Sequence, residues 1–127
     1  WNGKFPTSSQ LAEETPDSLS FLRSGFRAKY ICDASQRTAS GITDLGTIAS
    51  APINEARKSL MEIKGVGPKV AECVLLFGMH RTEAFPVDVW IRRVLEQFYP
   101  DGFPEFAAPH GGIAQQYLFH YIRNNFR

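Results

Sequence analysis

The sequence has few of the residues that stabilise small extracellular or metal-containing domains. Its 127 residues include only two cysteines, Cys32 and Cys73. They form no Cys-x-x-Cys pair and are too few for a zinc site or an iron–sulfur cluster, which favours a reducing intracellular compartment over secretion. A single disulfide between them stays open as an alternative. No apolar run approaches the ~20 residues that span a bilayer, so we expect no membrane association.

An excess of charge of one sign is also missing. The 14 Lys and Arg residues against 13 Asp and Glu residues give a net charge of +1, which argues neither for nor against a polyanionic partner. The distribution is less even, because residues 57–69 carry four bases and one acid, namely Arg57, Lys58, Lys64, Lys69 and Glu62. This cluster predicts either a local basic face or an ordinary solvated helix surface, and both alternatives stay open.

The hydrophobic pattern predicts one all-α domain over residues 1–127. No repeat or period-2 run competes with helical spacing, and a chain of this size buries roughly two-thirds of its unfolded surface without needing a disulfide. Helices are expected to start near Phe26, Pro52, Pro68, Asp88 and Ile113. We also expect an extended stretch over Trp1–Gln10 and a short helix that starts at Thr15-Pro16. Because the chain begins with Trp1, we expect a fragment.

The same spacing predicts which side chains are buried. The helix after Pro68 would bury Val70, Cys73, Val74 and Phe77, which share one face. The helix after Asp88 would bury Ile91, Val94, Leu95 and Phe98, and the last helix would bury Ile113, Tyr117, Leu118, Tyr121 and Ile122.

Gly65-Val66-Gly67 joins two of the predicted helices in a tight turn. Glycine tolerates the positive φ that such a turn demands. Because the next helix begins at Pro68, the free amides and the positive end of its dipole converge where a phosphate would bind. An ordinary helical hairpin with a glycine stop gives the same pattern and is the alternative.

Two residues near this turn have the chemistry of a covalent catalyst. Lys69 lies in the first turn of a helix, where the dipole disfavours a cation and so favours the neutral, nucleophilic amine. Asp88 is expected to cap the next helix, and hydrogen bonds from helix amides would keep it an anion able to stabilise positive charge. The alternatives are a surface lysine that touches phosphate and a purely structural cap.

These residues carry a family resemblance. LMEIKGVGPKVAEC over Leu60–Cys73 and FPVDVW over Phe85–Trp90 resemble the helix–hairpin–helix (HhH-GPD) DNA glycosylase superfamily, with the closest match to 8-oxoguanine DNA glycosylase/AP lyases. The segments Phe5–Thr7, Gly25–Tyr30 and Ile113–Phe119 resemble family segments in the same order. The resemblance implies an orthogonal helical bundle, here a partial catalytic domain without the family's N-terminal part.

The resemblance implies base-excision repair. Lys69 would attack the sugar C1′ of an 8-oxoguanine nucleotide opposite cytosine, form a Schiff base and permit β-elimination, while Asp88 would stabilise the oxocarbenium-like transition state. No cofactor is required for this reaction. The implied partner is damaged double-stranded DNA, and we expect a monomer in a bacterial cytoplasm or a eukaryotic nucleus.

The resemblance also implies roles for the Gly65-Val66-Gly67 turn and for residues in the predicted helices near it. Phosphate would be held at a set of DNA-binding positions, Gly65, Val66, Gly67, Lys69, Val70 and Arg27. A structural alkali or alkaline-earth cation would be ligated by backbone carbonyls of Met61, Ile63 and Val66. Arg27 resembles an arginine that contacts the orphaned cytosine, and contact with phosphate or water is the equal alternative.

A base pocket is the last implied feature. Gln115 would read the Watson–Crick edge of the flipped base, Phe119 would stack on one face, and Cys73 would pack on the other. Core packing is the alternative for Phe119 and Cys73. Trp90 departs from the family, which often has histidine there. His80, His110 and His120 lack metal spacing.

Three further hypotheses keep the motifs but change the function. The chain could act on another lesion or on abasic sites, since Lys69 and Asp88 would serve equally. A non-catalytic helix–hairpin–helix module would bind phosphate without needing both residues. A truncated piece would fold and bind DNA weakly without cleaving it.

Overall fold

The computed structural model describes residues 3–125, and no strand occurs among them. The α-helices of this range are α1 (Ser8–Ala12), α2 (Arg27–Ala39), α3 (Leu45–Ser50), α4 (Ile53–Met61), α5 (Pro68–Cys73), α6 (Val89–Phe98) and α7 (Gly111–Asn125). Short 3-10 helices cover Ser20–Leu22 and Glu105–His110, and a π-helical turn covers Val74–Gly78. The predicted all-α fold is therefore confirmed.

The chain divides into two compact units, Trp1–Val66 and Gly67–Arg127. The boundary lies inside the Gly-Val-Gly motif. The expectation of a single domain stays a prediction. Along residues 3–125, no helix has both the length and the hydrophobicity for a bilayer crossing.

The N-terminal end of the first unit differs from the sequence prediction. Residues expected to be extended form α1, because Thr7 and Gln10 make a capping box in which each side chain bonds the other's backbone N–H, at 3.2 and 2.9 Å. The helix expected from Thr15 is instead a turn in which Ser18 and Thr15 exchange side-chain hydrogen bonds. Only Ser20–Leu22 is helical there.

The core of the first unit forms where α1 packs on α2. Its buried members are Leu11, Leu19, Ala28 and Cys32. Phe26, which precedes α2, is exposed. Helix α2 ends at Ala39, and Gly41 follows with φ +80°.

The short α3, which the sequence pattern did not predict, packs on α4. Asp44 caps α3 by accepting hydrogen bonds from the N–H groups of Gly46 and Thr47 at 3.0 and 3.1 Å. The bond from Thr47 is the main cause that lowers the pKa of Asp44 below its usual value. A side-chain cap of this kind makes a short helix stable enough to pack.

In the second unit, α5 runs directly into the π-helical turn. The Met79 N–H donates to the Val74 carbonyl at 3.1 Å, five residues back, so the helix is locally underwound. The buried face consists of Ala71, Glu72, Leu75 and Leu76. The predicted face was wrong, since Val70 and Phe77 are exposed and Cys73 and Val74 are half-buried.

The last two long helices, α6 and α7, pack on each other. Ile91, Val94 and Ile122 are buried as predicted. The inward face of α7 carries Gly111, Gly112, Gln115 and Ile122, so of the predicted apolar stripe only Ile122 is fully buried. The prediction of burial was therefore wrong for Phe98, Ile113, Tyr117 and Tyr121, which are exposed.

Candidate functional site

Lys69 lies in the first turn of α5 with an exposed side chain. Gly67 is the N-cap residue and makes no side-chain cap, and Pro68 is the first helical residue. The first turn contains no acidic residue. The free N–H groups of this turn, the positive end of the dipole and the amine therefore lie together at one end of the helix.

Asp88 is the N-cap residue of α6, as predicted. Its Oδ1 accepts a hydrogen bond from the Ile91 N–H at 2.8 Å, and its backbone is extended. The side chain is half-buried. The cap fixes the carboxylate at the start of the helix, where the dipole favours an anion.

A buried glutamate connects the helix of Lys69 to the segment that leads to Asp88. Oε2 of Glu72 accepts a hydrogen bond from the Phe85 N–H at 2.7 Å. Glu72 lies three residues after Lys69, and Phe85 lies three residues before Asp88. Sequence reasoning gave Glu72 no role, although its position among Ala71, Leu75 and Leu76 on one helical face was a signal of burial.

Gln115 contacts the same segment from α7. Its Nε2 donates to the Pro86 carbonyl at 2.8 Å, and its side chain is only 3% exposed. Its Oε1 accepts from Nε2 of Gln116 at 2.5 Å. The side chain expected to read the base edge is therefore engaged with backbone two residues before Asp88.

Phe119, the predicted stacking residue, lines a cavity of about 510 Å³ in the second unit. The wall is polar and aromatic, consisting of Trp90, Gln116, Phe119, His120, Arg123 and Asn124. The Arg123 guanidinium lies 5.5 Å from the centre of the Phe119 ring. Gln116 and Arg123 had no predicted role. Cys73 is half-buried with a free thiol and is not among the residues that line this cavity.

Three of the predicted DNA-binding residues belong to the first unit, namely Arg27, Gly65 and Val66, whereas Gly67 and Val70 belong to the second unit with Lys69. Arg27 is the exposed first residue of α2, with its guanidinium 4.8 Å from the centre of the Phe26 ring. The ring of Tyr30 packs against Gly65, so closely that a Cβ there would lie 2.5 Å from Cδ2 of the ring. Oδ2 of Asp33 accepts from the Lys64 N–H at 3.3 Å. Helix α2 thus supports the first part of the turn.

The candidate cation site also belongs to the first unit. Helix α4 ends at Met61, and the carbonyls at a helix end lack intrahelical donors. The Ile63 carbonyl accepts from the Val66 N–H at 3.1 Å and keeps a second lone pair. Carbonyl oxygens suit hard cations, so the donor set fits the predicted ion. Among residues 3–125, no group of His, Cys, Asp and Glu side chains could hold a metal ion.

Comparison with known proteins gives relatives that include N-glycosylase/DNA lyases and DNA-3-methyladenine glycosylases. A probable N-glycosylase/DNA lyase of Methanothermobacter thermautotrophicus is 42% identical and aligns with 93% of this chain, which spans 41% of that protein. The structure of MBOgg1 in complex with a low-affinity DNA ligand superimposes with a TM-score of 0.85 at 40% identity, covering 100% of this chain and 49% of that one.

A second solved structure is the Clostridium acetobutylicum 8-oxoguanine glycosylase/lyase in complex with double-stranded DNA containing cytosine opposite 8-oxoguanine. It has a TM-score of 0.85 and 38% identity, covering 98% of this chain and 48% of that one. No model of a protein family matches the sequence. This chain spans half or less of the length of these three relatives. The helices, the turn motif and these relatives together show that the chain belongs to the helix–hairpin–helix DNA glycosylases and is similar to their 8-oxoguanine branch.

Proposed function

We propose that this chain is the catalytic part of a base-excision repair enzyme, a DNA glycosylase and AP lyase that removes 8-oxoguanine opposite cytosine from duplex DNA. One observation carries the proposal. The exposed Lys69 lies in the first turn of α5, and Glu72 of the same helix is hydrogen-bonded to the segment that ends at the Asp88 cap. The names of the relatives supply the substrate class.

In this reaction the amine of Lys69 is the nucleophile. Its nitrogen lone pair attacks C1′ of the nucleotide, the bond from C1′ to the base breaks, and the base leaves with the bonding electrons and a proton. Opening of the sugar ring gives a Schiff base between C1′ and the lysine nitrogen. Loss of a C2′ proton then expels the 3′ phosphate, and water hydrolyses the Schiff base to regenerate the amine.

Asp88 acts on the charge that develops during this attack. As the bond to the base stretches, positive charge accumulates on the ring oxygen and C1′, and a fixed carboxylate stabilises it. The helix α6 cap supplies that fixed position. We assign base recognition to Cys73, Gln115 and Phe119. Gln115 would have to exchange its bond to the Pro86 carbonyl for bonds to the base.

The basic side chains and free amides suit a duplex DNA partner. Backbone N–H groups around Gly67, Lys69 and Val70 would hold phosphate. The carbonyls of Met61, Ile63 and Val66 would hold a hard cation. A monomer suffices, because the assigned groups all belong to one chain. Both thiols are free, which suits a reducing compartment inside the cell.

Borohydride trapping tests the proposal. The chain is mixed with a duplex carrying one 8-oxoguanine opposite cytosine, and borohydride reduces any Schiff base to a stable amine. We expect a covalent adduct that disappears in Lys69→Gln. Lys58→Gln, at an exposed lysine in the last turn of α4, is the matched control and should form the adduct normally.

Each contrary outcome would overturn a different part of the proposal. An adduct that persists in Lys69→Gln would remove the nucleophile assignment. An adduct on an abasic or differently damaged duplex, with none on 8-oxoguanine, would keep the chemistry but overturn the substrate. Salt-dependent binding with no adduct on any duplex would leave a DNA-binding module.

A further inference from the structure

The segment between the π-helical turn and α6 has no regular secondary structure, yet buried side chains hold it from two helices. We propose that Glu72 is a positioning residue: its carboxylate, by fixing the Phe85 amide, sets the location of the Asp88 carboxylate. The catalytic part of this inference rests on the proposed function, whereas its structural part does not. Glu72 itself is not assigned contact with DNA.

The argument begins with burial. Glu72 is 7% exposed, and charged side chains are seldom this buried unless hydrogen-bonded. The bond it accepts from the Phe85 N–H is 2.7 Å long. A hydrogen bond to an ionised acceptor is roughly twice as strong as a neutral one, so this contact holds the segment tightly to α5.

The next residues transmit that position to Asp88. Pro86 follows Phe85 directly, is buried, and has a ring that fixes φ near −65°. Its carbonyl is held by Gln115 of α7 at 2.8 Å. Only Val87 then separates Pro86 from Asp88, whose carboxylate accepts the Ile91 N–H. Few free torsions remain between the Glu72 anchor and the cap.

A further contact limits movement of the whole segment. The Gly112 N–H at the start of α7 donates to the Thr82 carbonyl at 2.8 Å. A Cβ at Gly112 would lie 2.4 Å from the Ala84 carbonyl oxygen, so the helix backbone touches the segment. Helix α7 therefore contacts the segment at Thr82 and Ala84, and Glu72 of α5 binds it at Phe85.

The test compares three variants of the chain. Glu72→Leu removes the acceptor, and Glu72→Gln keeps an uncharged acceptor. Glu96→Leu makes the same change at an exposed site on α6 and serves as the control. Each is measured for the single-turnover rate of adduct formation, the Kd for the same duplex, and hydrogen exchange of the Phe85 and Ile91 amides.

We expect Glu72→Leu to slow adduct formation about 10-fold to 100-fold, as a misplacement of about 1 Å does, while the Kd stays within about twofold. Glu72→Gln should recover the rate to within about threefold of the unmodified chain, because it can accept the same bond. Equal rates in Glu72→Leu and Glu96→Leu would overturn the proposal. So would parallel losses of rate and binding, which indicate general unfolding.

Amide exchange separates this inference from the proposed function. If the unmodified chain forms no adduct on any duplex, the proposed function fails, but exchange still reports on the anchor. Faster exchange at both Phe85 and Ile91 in Glu72→Leu, restored in Glu72→Gln, supports it. Unchanged exchange at Ile91 overturns it, because the Asp88 cap would then be independent of Glu72. If Glu72→Leu does not fold, Glu72→Gln is compared with the unmodified chain at the same two amides. Its weaker neutral bond should raise exchange slightly at both Phe85 and Ile91, and a rise at Phe85 without one at Ile91 overturns the inference.

Discussion

Alanine at either glycine of the Gly65-Val66-Gly67 turn adds one methyl group, but the two positions differ in what that group meets. Gly65 has φ +82°, and a Cβ there would lie 2.5 to 2.9 Å from three atoms of the Tyr30 ring. Gly67 has φ −94°, which any residue adopts, and no atom lies within 4 Å of its Cβ position. The turn therefore requires glycine at Gly65, whereas the Gly67 position has room for a side chain.

The magnitude for Gly65→Ala has two contributions. A left-handed backbone costs alanine about 1–2 kcal/mol. Overpacking costs about 1–3 kcal/mol, since the ring of Tyr30 must shift before the methyl fits. We expect a loss near 3 kcal/mol in the free energy of unfolding, or about 12 °C in Tm at about 4 °C per kcal/mol. Gly67→Ala should stay within about 0.5 kcal/mol.

Thermal and urea unfolding of the two variants, of Tyr30→Ala and of Gly65→Ala combined with Tyr30→Ala measure these costs. Without the Tyr30 ring, Gly65→Ala should cost only the backbone part, which gives a coupling energy of about 1–3 kcal/mol between the two sites. Equal Tm losses at the two glycines would refute the reasoning. A zero coupling energy would refute the contact with Tyr30.

Two other expectations can be checked by the same measurements. Gly112→Ala should lower the free energy of unfolding by about 1–3 kcal/mol, because the new methyl meets the Ala84 carbonyl oxygen, which is backbone and cannot rotate away. Gly78→Ala, where a Cβ meets nothing within 4 Å, is its control, and similar Tm values would contradict the packing. The hydrogen bond from Arg81 lowers the pKa of Glu83 below its ordinary 4.5, so ionised Glu83 stabilises the fold at neutral pH. This advantage over Glu83→Gln should be present above pH 4.5 and shrink as the pH falls through the lowered pKa, and a Tm difference that does not change with pH would contradict the assignment.

Local signals in the sequence predict the helices of this chain well where a cap coincides with apolar spacing. Asp88 precedes a clear amphipathic run, and both the cap and burial of Ile91 and Val94 are confirmed. Thr7 and Gln10 carry an equally local capping box, although the polar composition around them predicts an extended stretch. The two reciprocal hydrogen bonds of that box outweigh composition and start α1.

The buried face of α5 and the following turn keeps helical spacing but contains a charged residue, since it consists of Ala71, Glu72, Leu75 and Leu76. Counting apolar residues alone, from Val70 to Phe77, therefore selects the wrong face. Glu72 is buried because its partner, the Phe85 amide, lies 13 residues along the chain. Gln115 is likewise held by a carbonyl 29 residues away. Contacts at these separations depend on tertiary packing, which one sequence does not reveal.

The π-helical turn at Val74–Gly78 has a consequence for how this region can change length. Such a turn accommodates one residue more than α-helical winding does, so deleting one residue within it restores the α-helix and keeps the following residues in phase with α5. A deletion between Phe85 and Asp88 would instead separate the hydrogen bond to Glu72 from the cap of α6. In evolutionary terms, the π-helical turn tolerates the loss of one residue, whereas the stretch from Phe85 to Asp88 keeps a fixed number of residues.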